Sequence, residues 1–241
     1  EGDIRKCFDR INHAKLMELV AKRVADRRIL GLVEQFLKAG LLEEGIFHET
    51  EAGTPQGGIL SPLLANIYLN ELDQWWWRNY GSKSHNEKRK NRNRSRTNAI
   101  LTRYADDFCI LCNGGREETE RLRDELKKYL WEELHLELSE EKTHITHIDD
   151  GVNFLGYHIQ RYTPNDNRPW IRITPTQENV KRFSEKIKML TRYNTTFMPV
   201  AEKLQVLNRL IKGWGYYYRN VNFGDEAAKL DWWRINVYSP G

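Results

Sequence analysis

Two adjacent aspartates, Asp106 and Asp107, interrupt an apolar run that extends from residue 101 to residue 112. Short apolar runs on both sides of polar turn residues predict two strands joined by a hairpin, with both acids at its tip. Neighbouring aspartates at a turn are usually only turn formers. A third acid, Asp3, lies at the end of another short strand-like segment. If these strands share one sheet, three carboxylates converge, and such hard oxygen ligands suit Mg²⁺, which in turn binds substrate phosphates.

The hydrophobic pattern predicts an α+β domain followed by a helical domain. Ser61 and Pro62 look like an N-cap followed by proline at the first helical position. Residues 79–98 lack periodicity and are interpreted as a loop. Apolar residues at helical spacing indicate further helices over residues 16–24, 32–37, 64–72 and 122–130.

The second half of the chain alternates between short strands and longer helical stretches. Pro175 and the change of pattern at Thr176 place the domain boundary there, giving domains 1–175 and 176–241. The predicted strands cover residues 143–148, 152–159 and 170–174, and the predicted helices cover 177–192, 199–218 and 225–237.

Charge is unevenly distributed along this chain of 241 residues, whose net charge is +4. Residues 83–96 carry seven Lys or Arg against one Glu, and residues 178–241 carry eleven basic and six acidic side chains. Residues 117–141 carry ten acidic and four basic side chains. This split indicates a polyanion bound on selected faces. The alternative is a charged surface that only contacts solvent, and this explanation is sufficient for the charge of the acidic segment.

Several classes of protein are excluded by composition. With 39% hydrophobic and 30% charged residues, the chain can form a packed core. No apolar run reaches the ~18 residues of a membrane helix, and a cytoplasmic, bacterial protein is expected. Cys109 and Cys112 form a C-x-x-C, but their odd separation in a strand points them to opposite faces, which favours buried thiols over zinc or redox chemistry. The first residue is not Met, which indicates a fragment of a longer protein.

Five short motifs follow one another between residues 3 and 157. Asp3-x-x-x-x-Phe8-Asp9 and Tyr-Ala-Asp-Asp at 104–107 are similar to the first and second metal-binding motifs of the reverse transcriptase palm. The segment from Gly53 to Asn66 resembles the motif that contacts nucleotide and template. Glu141-Lys142-Thr143 and Phe154-Leu155-Gly156-Tyr157 resemble the later palm motifs, the last of them the primer grip.

The resemblance implies a role for each matching residue. Asp3, Asp106 and Asp107 would be catalytic and, with Ile4, would hold two Mg²⁺ ions for nucleotidyl transfer. Phe8 would exclude a ribose 2′-hydroxyl, the alternative being a core phenylalanine. The resemblance also implies nucleotide contacts by Gln56 and Lys142. For Lys142, the alternative is an exposed lysine at a strand end. Nucleic-acid contacts are implied for Gly57, Gly58, Ser61, Gly156 and Tyr157.

The branch of the family that the chain resembles is the group II intron maturases. The run from Gly57 to Leu69 is similar to that branch, and so is the basic insertion before residue 104. Ile211-Lys212-Gly213-Trp214-Gly215-Tyr216-Tyr217-Tyr218 is similar to the maturase thumb. We expect Trp214 to face inward, and a helical projection places Lys212, Tyr216 and Arg219 on one face. The expected nucleic-acid contacts in the insertion and thumb are Lys88, Arg89, Lys90, Arg92, Arg94, Lys212 and Arg219.

Three interpretations compete. The first is an RNA-directed DNA polymerase that also binds intron RNA, and its partners are intron RNA, an RNA template, a DNA primer and deoxynucleoside triphosphates. The second is an RNA-binding maturase module with little polymerase activity. The third is a related reverse transcriptase recruited to a bacterial defence system. The family's fingers region, which precedes the first motif, has no counterpart in these residues, so we expect that this fragment alone is inactive. Whether the protein forms a homodimer stays open.

Overall fold

The computed structural model describes residues 1–38, 41–43, 46–48, 53–54, 58–93, 97–164, 168–192 and 199–221. The chain divides into two compact units, Glu1–Ile145 and Thr146–Gly241. Both units combine strands and helices, so the α+β class is confirmed. No helix among the described residues is long and apolar enough to cross a membrane.

The first unit is built around a four-stranded antiparallel sheet with the strand order β4-β5-β1-β6. The predicted hairpin is present: β4 and β5 pair from Ala99↔Cys112 to Tyr104↔Asp107. The elements of this unit are β1 (Gly2–Arg5), α1 (Cys7–Arg10), α2 (His13–Ala21), α3 (Arg27–Lys38), β2 (Leu41–Glu43), β3 (Ile46–His48), α4 (Ser61–Trp76), α5 (His85–Asn93), β4 (Ala99–Tyr104), β5 (Asp107–Cys112), α6 (Arg116–Leu134) and β6 (Glu137–Leu138).

The core of the first unit joins this sheet to α2, α4 and α6. Apolar residues recur every three or four positions on α4, and Leu122, Leu126, Leu130 and Leu134 are buried along one face of α6. The hydroxyl of Tyr68, which is fully buried, donates to the carbonyl of Leu134 at 2.8 Å. These contacts fix α4 and α6 against the sheet that carries the acidic residues.

Three local predictions for the first unit were wrong. Among the described residues of 79–98, most are helical and not a loop: a π-helical turn at Trp77–Gly81 extends α4, and α5 follows. Ser84 and Glu87 exchange side-chain-to-backbone hydrogen bonds and so form a capping box at the start of α5. The strand at 143–148 is absent; β6 forms before it. Ser61 is the first residue of α4, not its N-cap.

The second unit contains a three-stranded antiparallel sheet, β7 (Val152–Phe154), β8 (Tyr157–Tyr162) and β9 (Trp170–Pro175), followed by α7 (Gln177–Thr191) and α8 (Val200–Tyr217). The predicted strand 152–159 is therefore two strands that meet at a turn. The helices share a small core of Phe183, Ile187 and Leu207. The predicted boundary at 175 falls inside this unit, and the predicted helix 225–237 lies outside the described residues.

Candidate active site and nucleic-acid interface

Three acidic residues come together at the hairpin. Asp3 on β1 pairs directly with Asp107 on β5, which places their Cβ atoms about 4.5–5.5 Å apart. Asp106 is the second residue of the two-residue turn between β4 and β5, and Asp107 follows it as the first residue of β5. The structure therefore brings together the three residues that the sequence predicts as catalytic.

The electrostatics of these carboxylates reflect their proximity. Partial desolvation of Asp107, together with repulsion from Asp106 and Asp3, raises its pKa, and Lys142 opposes this effect. Lys142 donates to Oδ2 of Asp3 at 2.7 Å, and this bond raises the pKa of the lysine. Lys142 lies in a turn that begins at Ser139, so it is not at a strand end.

A buried thiol lies close to the same acids. Cys7 is 1% exposed. Burial raises its pKa to about 12, with further contributions from Asp106 and Asp3. This thiol is therefore protonated near neutral pH and adds no negative charge to the three carboxylates.

The donor chemistry fits a divalent cation. Three carboxylates are the hard oxygen ligands that Mg²⁺ prefers, and a cation would relieve the repulsion that raises the pKa of Asp107. The ammonium of Lys142 already brings one positive charge to Asp3. As the side chains stand within the described ranges, no group of three His, Cys, Asp or Glu is placed to hold a metal ion, so the fit is one of donor chemistry. Ile4 is buried and has no side-chain donor, so it could offer only its carbonyl oxygen.

Arg103, which the sequence analysis did not single out, contacts the turn that carries Asp106. Its Nη1 donates to the carbonyl of Ala105 at 2.8 Å and to Oδ1 of Asn66 at 2.9 Å. Its Nε and Nη2 donate to the two carboxylate oxygens of Asp73 at 2.9 and 2.5 Å. The only sequence signal is an arginine at an inward position of β4, where Leu101 also packs against the core.

The segment that leads to the predicted nucleotide-binding loop is attached to α1. Gly53 and Thr54 donate their backbone N–H groups to the carbonyls of Ile11 and Phe8 at 2.9 and 2.7 Å. A Cβ on Gly53 would lie 2.8 Å from the carbonyl oxygen of Asp9, which explains the glycine. The ring of Phe8 is half-buried and packs against the core, so its role as a gate stays a prediction.

Only part of the predicted nucleotide- and template-contacting motif is described. Gln56 and Gly57 lie outside the described residues. Gly58 accepts a hydrogen bond from the backbone N–H of Ser61 at 3.1 Å. Ser61 is buried at the start of α4, and its contact with nucleic acid stays a prediction.

The basic insertion forms a helix instead of a loop. Arg89 and Lys90 on α5 are exposed, whereas Lys88 is half-buried. The side-chain amide of Asn98 donates to the carbonyl of Lys88 at 2.9 Å and so ties the helix to the start of β4. Arg92 belongs to α5, but its side chain and all of Arg94 lie outside what the structure describes.

The predicted primer grip is a tight turn between β7 and β8. Leu155 and Gly156 both have positive φ, 50° and 79°, as expected at the two central positions of a type I′ hairpin. The carbonyl of Gly156 accepts from the hydroxyl of Tyr218 at 3.0 Å. A Cβ on Gly156 would lie 2.3 Å from Nδ2 of Asn179. The glycine is therefore explained by this turn.

Aromatic rings join the same turn to the end of α8. The hydroxyl of Tyr157 donates to the carbonyl of Tyr217 at 2.7 Å, and the hydroxyl of Tyr217 donates to the carbonyl of Leu155 at 2.7 Å. The two rings stack with centroids 5.1 Å apart. The hydroxyl of Tyr157 thus already has a hydrogen-bond partner within the second unit. Its contact with a primer stays a prediction.

The helical projection of α8 is confirmed for Trp214, which faces inward, and for Tyr216, which faces outward, whereas Arg219 lies beyond the end of the helix. Trp214 stacks on Phe183 with centroids 4.6 Å apart and packs against the core of the second unit. Tyr216 is exposed, and the guanidinium of Arg219 lies 4.2 Å from the centroid of its ring. Lys212, one turn before Tyr216, is also exposed. Lys212, Tyr216 and Arg219 form one basic and aromatic surface, which we call the α8 surface.

Two families match this chain. The reverse transcriptase (RNA-dependent DNA polymerase) family matches residues 1–159, the part that carries the three acids. The maturase-specific domain of group II introns matches residues 180–236, the part that carries the α8 surface. The chain belongs to the group II intron reverse transcriptase and maturase family.

Individual relatives agree with this assignment. Group II intron-encoded protein LtrA of Lactococcus lactis subsp. cremoris is 38% identical over 205 residues, which cover 66% of this chain and 34% of LtrA. Protein YkfC of Escherichia coli is 32% identical over 205 residues, covering 79% of this chain and 54% of YkfC. The putative COX1/OXI3 intron 2 protein of Saccharomyces cerevisiae is 27% identical over 207 residues, 70% of this chain and 24% of that protein. This reverse transcriptase chain thus spans about a third of the length of LtrA and about half that of YkfC.

Proposed function

We propose that this chain forms the palm and thumb of an RNA-directed DNA polymerase that also binds the RNA of its group II intron. The observation that carries the polymerase assignment is the pairing of Asp3 with Asp107, with Asp106 next to them in the turn. Residues 1–175 would be the palm and residues 176–241 the thumb. A sheet that presents three carboxylates at one hairpin can bind phosphates through cations, which is what nucleotidyl transfer requires.

Different residues of the chain would have different roles in nucleotidyl transfer. Asp3, Asp106 and Asp107 would hold two Mg²⁺ ions, and when bound these would neutralise charge on the transferring phosphate. Lys142 lies within hydrogen-bond distance of Asp3. It would therefore be released to contact a substrate phosphate, or act as a general acid, once Asp3 has another cation partner. Phe8 would set the preference for deoxynucleotides, and Gln56 would contact the incoming nucleotide.

The proposed role in intron binding rests on the second unit. The α8 surface combines an exposed aromatic ring with two cations, and stacking next to positive charge is how proteins contact unpaired RNA bases. Residues 180–236 match the maturase-specific domain. The alternative function, an RNA-binding maturase module with little polymerase activity, shares this observation but makes no use of the paired carboxylates.

Primer extension and RNA binding, measured side by side on the full-length protein, would separate these functions. We expect Mg²⁺-dependent extension of a DNA primer on an RNA template, together with tight binding of the parent intron. Binding without extension, over a range of Mg²⁺ and Mn²⁺ concentrations, would contradict the polymerase assignment and favour the maturase module.

A further inference from the structure

The turn that presents Asp106 has a conformation that its own sequence does not favour. Ala105 has a φ of 54° in the first position of the two-residue turn. An L-residue with a side chain pays about 1–2 kcal/mol in this left-handed region, and glycine is the usual choice there. Contacts from elsewhere must therefore hold this peptide in place.

A hydrogen bond from Arg103 holds this peptide in place. One guanidinium donates four hydrogen bonds, to the carbonyl of Ala105, to Asn66 and to both oxygens of Asp73. Its side chain is only 9% exposed. The carbonyl that it binds belongs to the peptide group that joins Ala105 to Asp106. Fixing this peptide therefore fixes the backbone from which the carboxylate of Asp106 projects.

The other end of this network is rigid. Asn66 and Asp73 both lie on α4, which is held in the core by buried residues such as Tyr68 and Leu72. The planar fork of arginine can bind a carboxylate with two N–H groups while a third N–H points elsewhere, and a lysine ammonium cannot reproduce that geometry. Simple packing at this position of β4 would need only an apolar residue.

We propose that Arg103 is a positioning residue for polymerisation, which sets the place of Asp106 by anchoring the Ala105 peptide to Asn66 and Asp73 on α4. It acts through Asp106 and does not touch the substrate. The inference rests on the proposed function, because it assumes that Asp106 holds a divalent cation. Residues that orient metal ligands in this way commonly change metal affinity or activity by about 10–100-fold when they are replaced.

The test is Arg103→Lys in the full-length protein, with Arg161→Lys as the matched control. Arg161 makes a similar two-pronged pair with Asp149, at 2.6 and 2.8 Å, in the second unit. We expect Arg103→Lys to weaken Mn²⁺ binding by at least about tenfold. The binding is measured by electron paramagnetic resonance on the protein without nucleic acid. In primer extension, kcat should fall by a similar factor while KM for deoxynucleotides stays within about twofold. Arg161→Lys should change none of these values.

Wild-type Mn²⁺ affinity and kcat in a folded Arg103→Lys variant would overturn the proposal, and so would equal losses in both lysine variants. If Arg103→Lys does not fold, Asp73→Asn is the second variant, because it keeps Arg103 and weakens only its anchor. A smaller loss in the same direction supports the proposal, and unchanged Mn²⁺ affinity with unchanged kcat overturns it. If the wild-type protein shows no extension at all, the proposed polymerase function fails, while the Mn²⁺ affinities of the variants still decide the role of Arg103.

Discussion

Asp3 and Asp107 face each other on neighbouring antiparallel strands, in register. Two like charges in directly opposite positions destabilise a strand pair by about 0.2–1 kcal/mol. Desolvation by burial is the main cause of the raised pKa of Asp107, and repulsion from Asp106 and then Asp3 adds to it. A cation bound beside these two carboxylates would relieve their repulsion.

The first prediction concerns stability and pH. Because the pKa of Asp107 is raised in the folded state, its ionisation as pH rises through the carboxylate range lowers stability. Asp107→Asn removes this penalty, so in the presence of a chelator its Tm at about pH 7 should exceed that of wild type by roughly 1–3 °C. The difference should vanish below pH 3.8, the ordinary pKa of an aspartate.

Asp149→Asn is the control of opposite sign. The hydrogen bond from Arg161 lowers the pKa of Asp149, so its ionised form stabilises the fold above the ordinary pKa, and this variant should gain nothing at neutral pH. Scanning calorimetry of the three proteins provides the comparison. A Tm for Asp107→Asn at or below that of wild type at neutral pH would show that the ionised carboxylate of Asp107 carries no net penalty in the folded state.

The second prediction concerns sugar choice. If Phe8 lies over the sugar of the incoming nucleotide, Phe8→Ala should increase the use of ribonucleotides relative to deoxynucleotides by about 10-fold or more. The ratio of kcat/KM values for the two nucleotide classes measures this. Phe36→Ala is the control, because Phe36 is also half-buried against the same core and should cost stability without changing the ratio. An unchanged ratio in Phe8→Ala would make Phe8 a core residue only.

The third prediction concerns the basic helix. Replacing Lys88, Arg89, Lys90, Arg92 and Arg94 together with Gln should flatten the dependence of RNA affinity on salt, because each lost phosphate contact reduces the log–log slope by about 0.7–0.9. The control replaces Arg116, Arg121 and Lys127 on α6, which pair with Glu120, Glu125 and Glu140. An unchanged slope in the α5 variant would make this helix a solvated surface.

The fourth prediction separates intron recognition from general RNA binding. Lys212→Gln with Arg219→Gln should weaken binding of the parent intron more than binding of an unrelated structured RNA, with Tm preserved. Arg161→Gln with Arg182→Gln is the control, because both arginines are paired with carboxylates within the second unit. Equal losses on both RNAs would leave only backbone contacts. A large drop in Tm would show that the α8 surface is structural.

The features that the sequence predicts well depend on local pattern. The β4–β5 hairpin follows from short apolar runs on both sides of two polar turn residues. The buried face of α6 follows from leucines spaced four residues apart. The inward direction of Trp214 and the exposure of Tyr216 follow from helical geometry. The convergence of Asp3 on Asp107 could be expected only because the motifs resembled a known palm, since the register that aligns them joins strands about a hundred residues apart.

The features that the sequence does not predict depend on long-range contacts or on weak local signals. α5 has no apolar residue, so hydrophobic periodicity cannot predict it, although Ser84 and Glu87 are spaced as a capping box. The hydrogen bonds of Arg103 join β4 to residues of α4 that are 30 and 37 positions away. The role of Gly156 depends on Tyr218 and Asn179, which reach the turn only in the folded second unit.

The most direct test of the central claim is primer extension by Asp106→Ala and Asp107→Ala in the full-length protein, with binding of the parent intron measured on the same preparations. If the three carboxylates form the polymerase active site, extension in Mg²⁺ should fall by at least about a thousandfold in each variant, the loss expected when a group that holds the reaction's charge is removed. RNA affinity should stay within about twofold, because the phosphate contacts proposed for α5 and the α8 surface do not involve these residues. Extension near the wild-type rate by either variant would contradict the account.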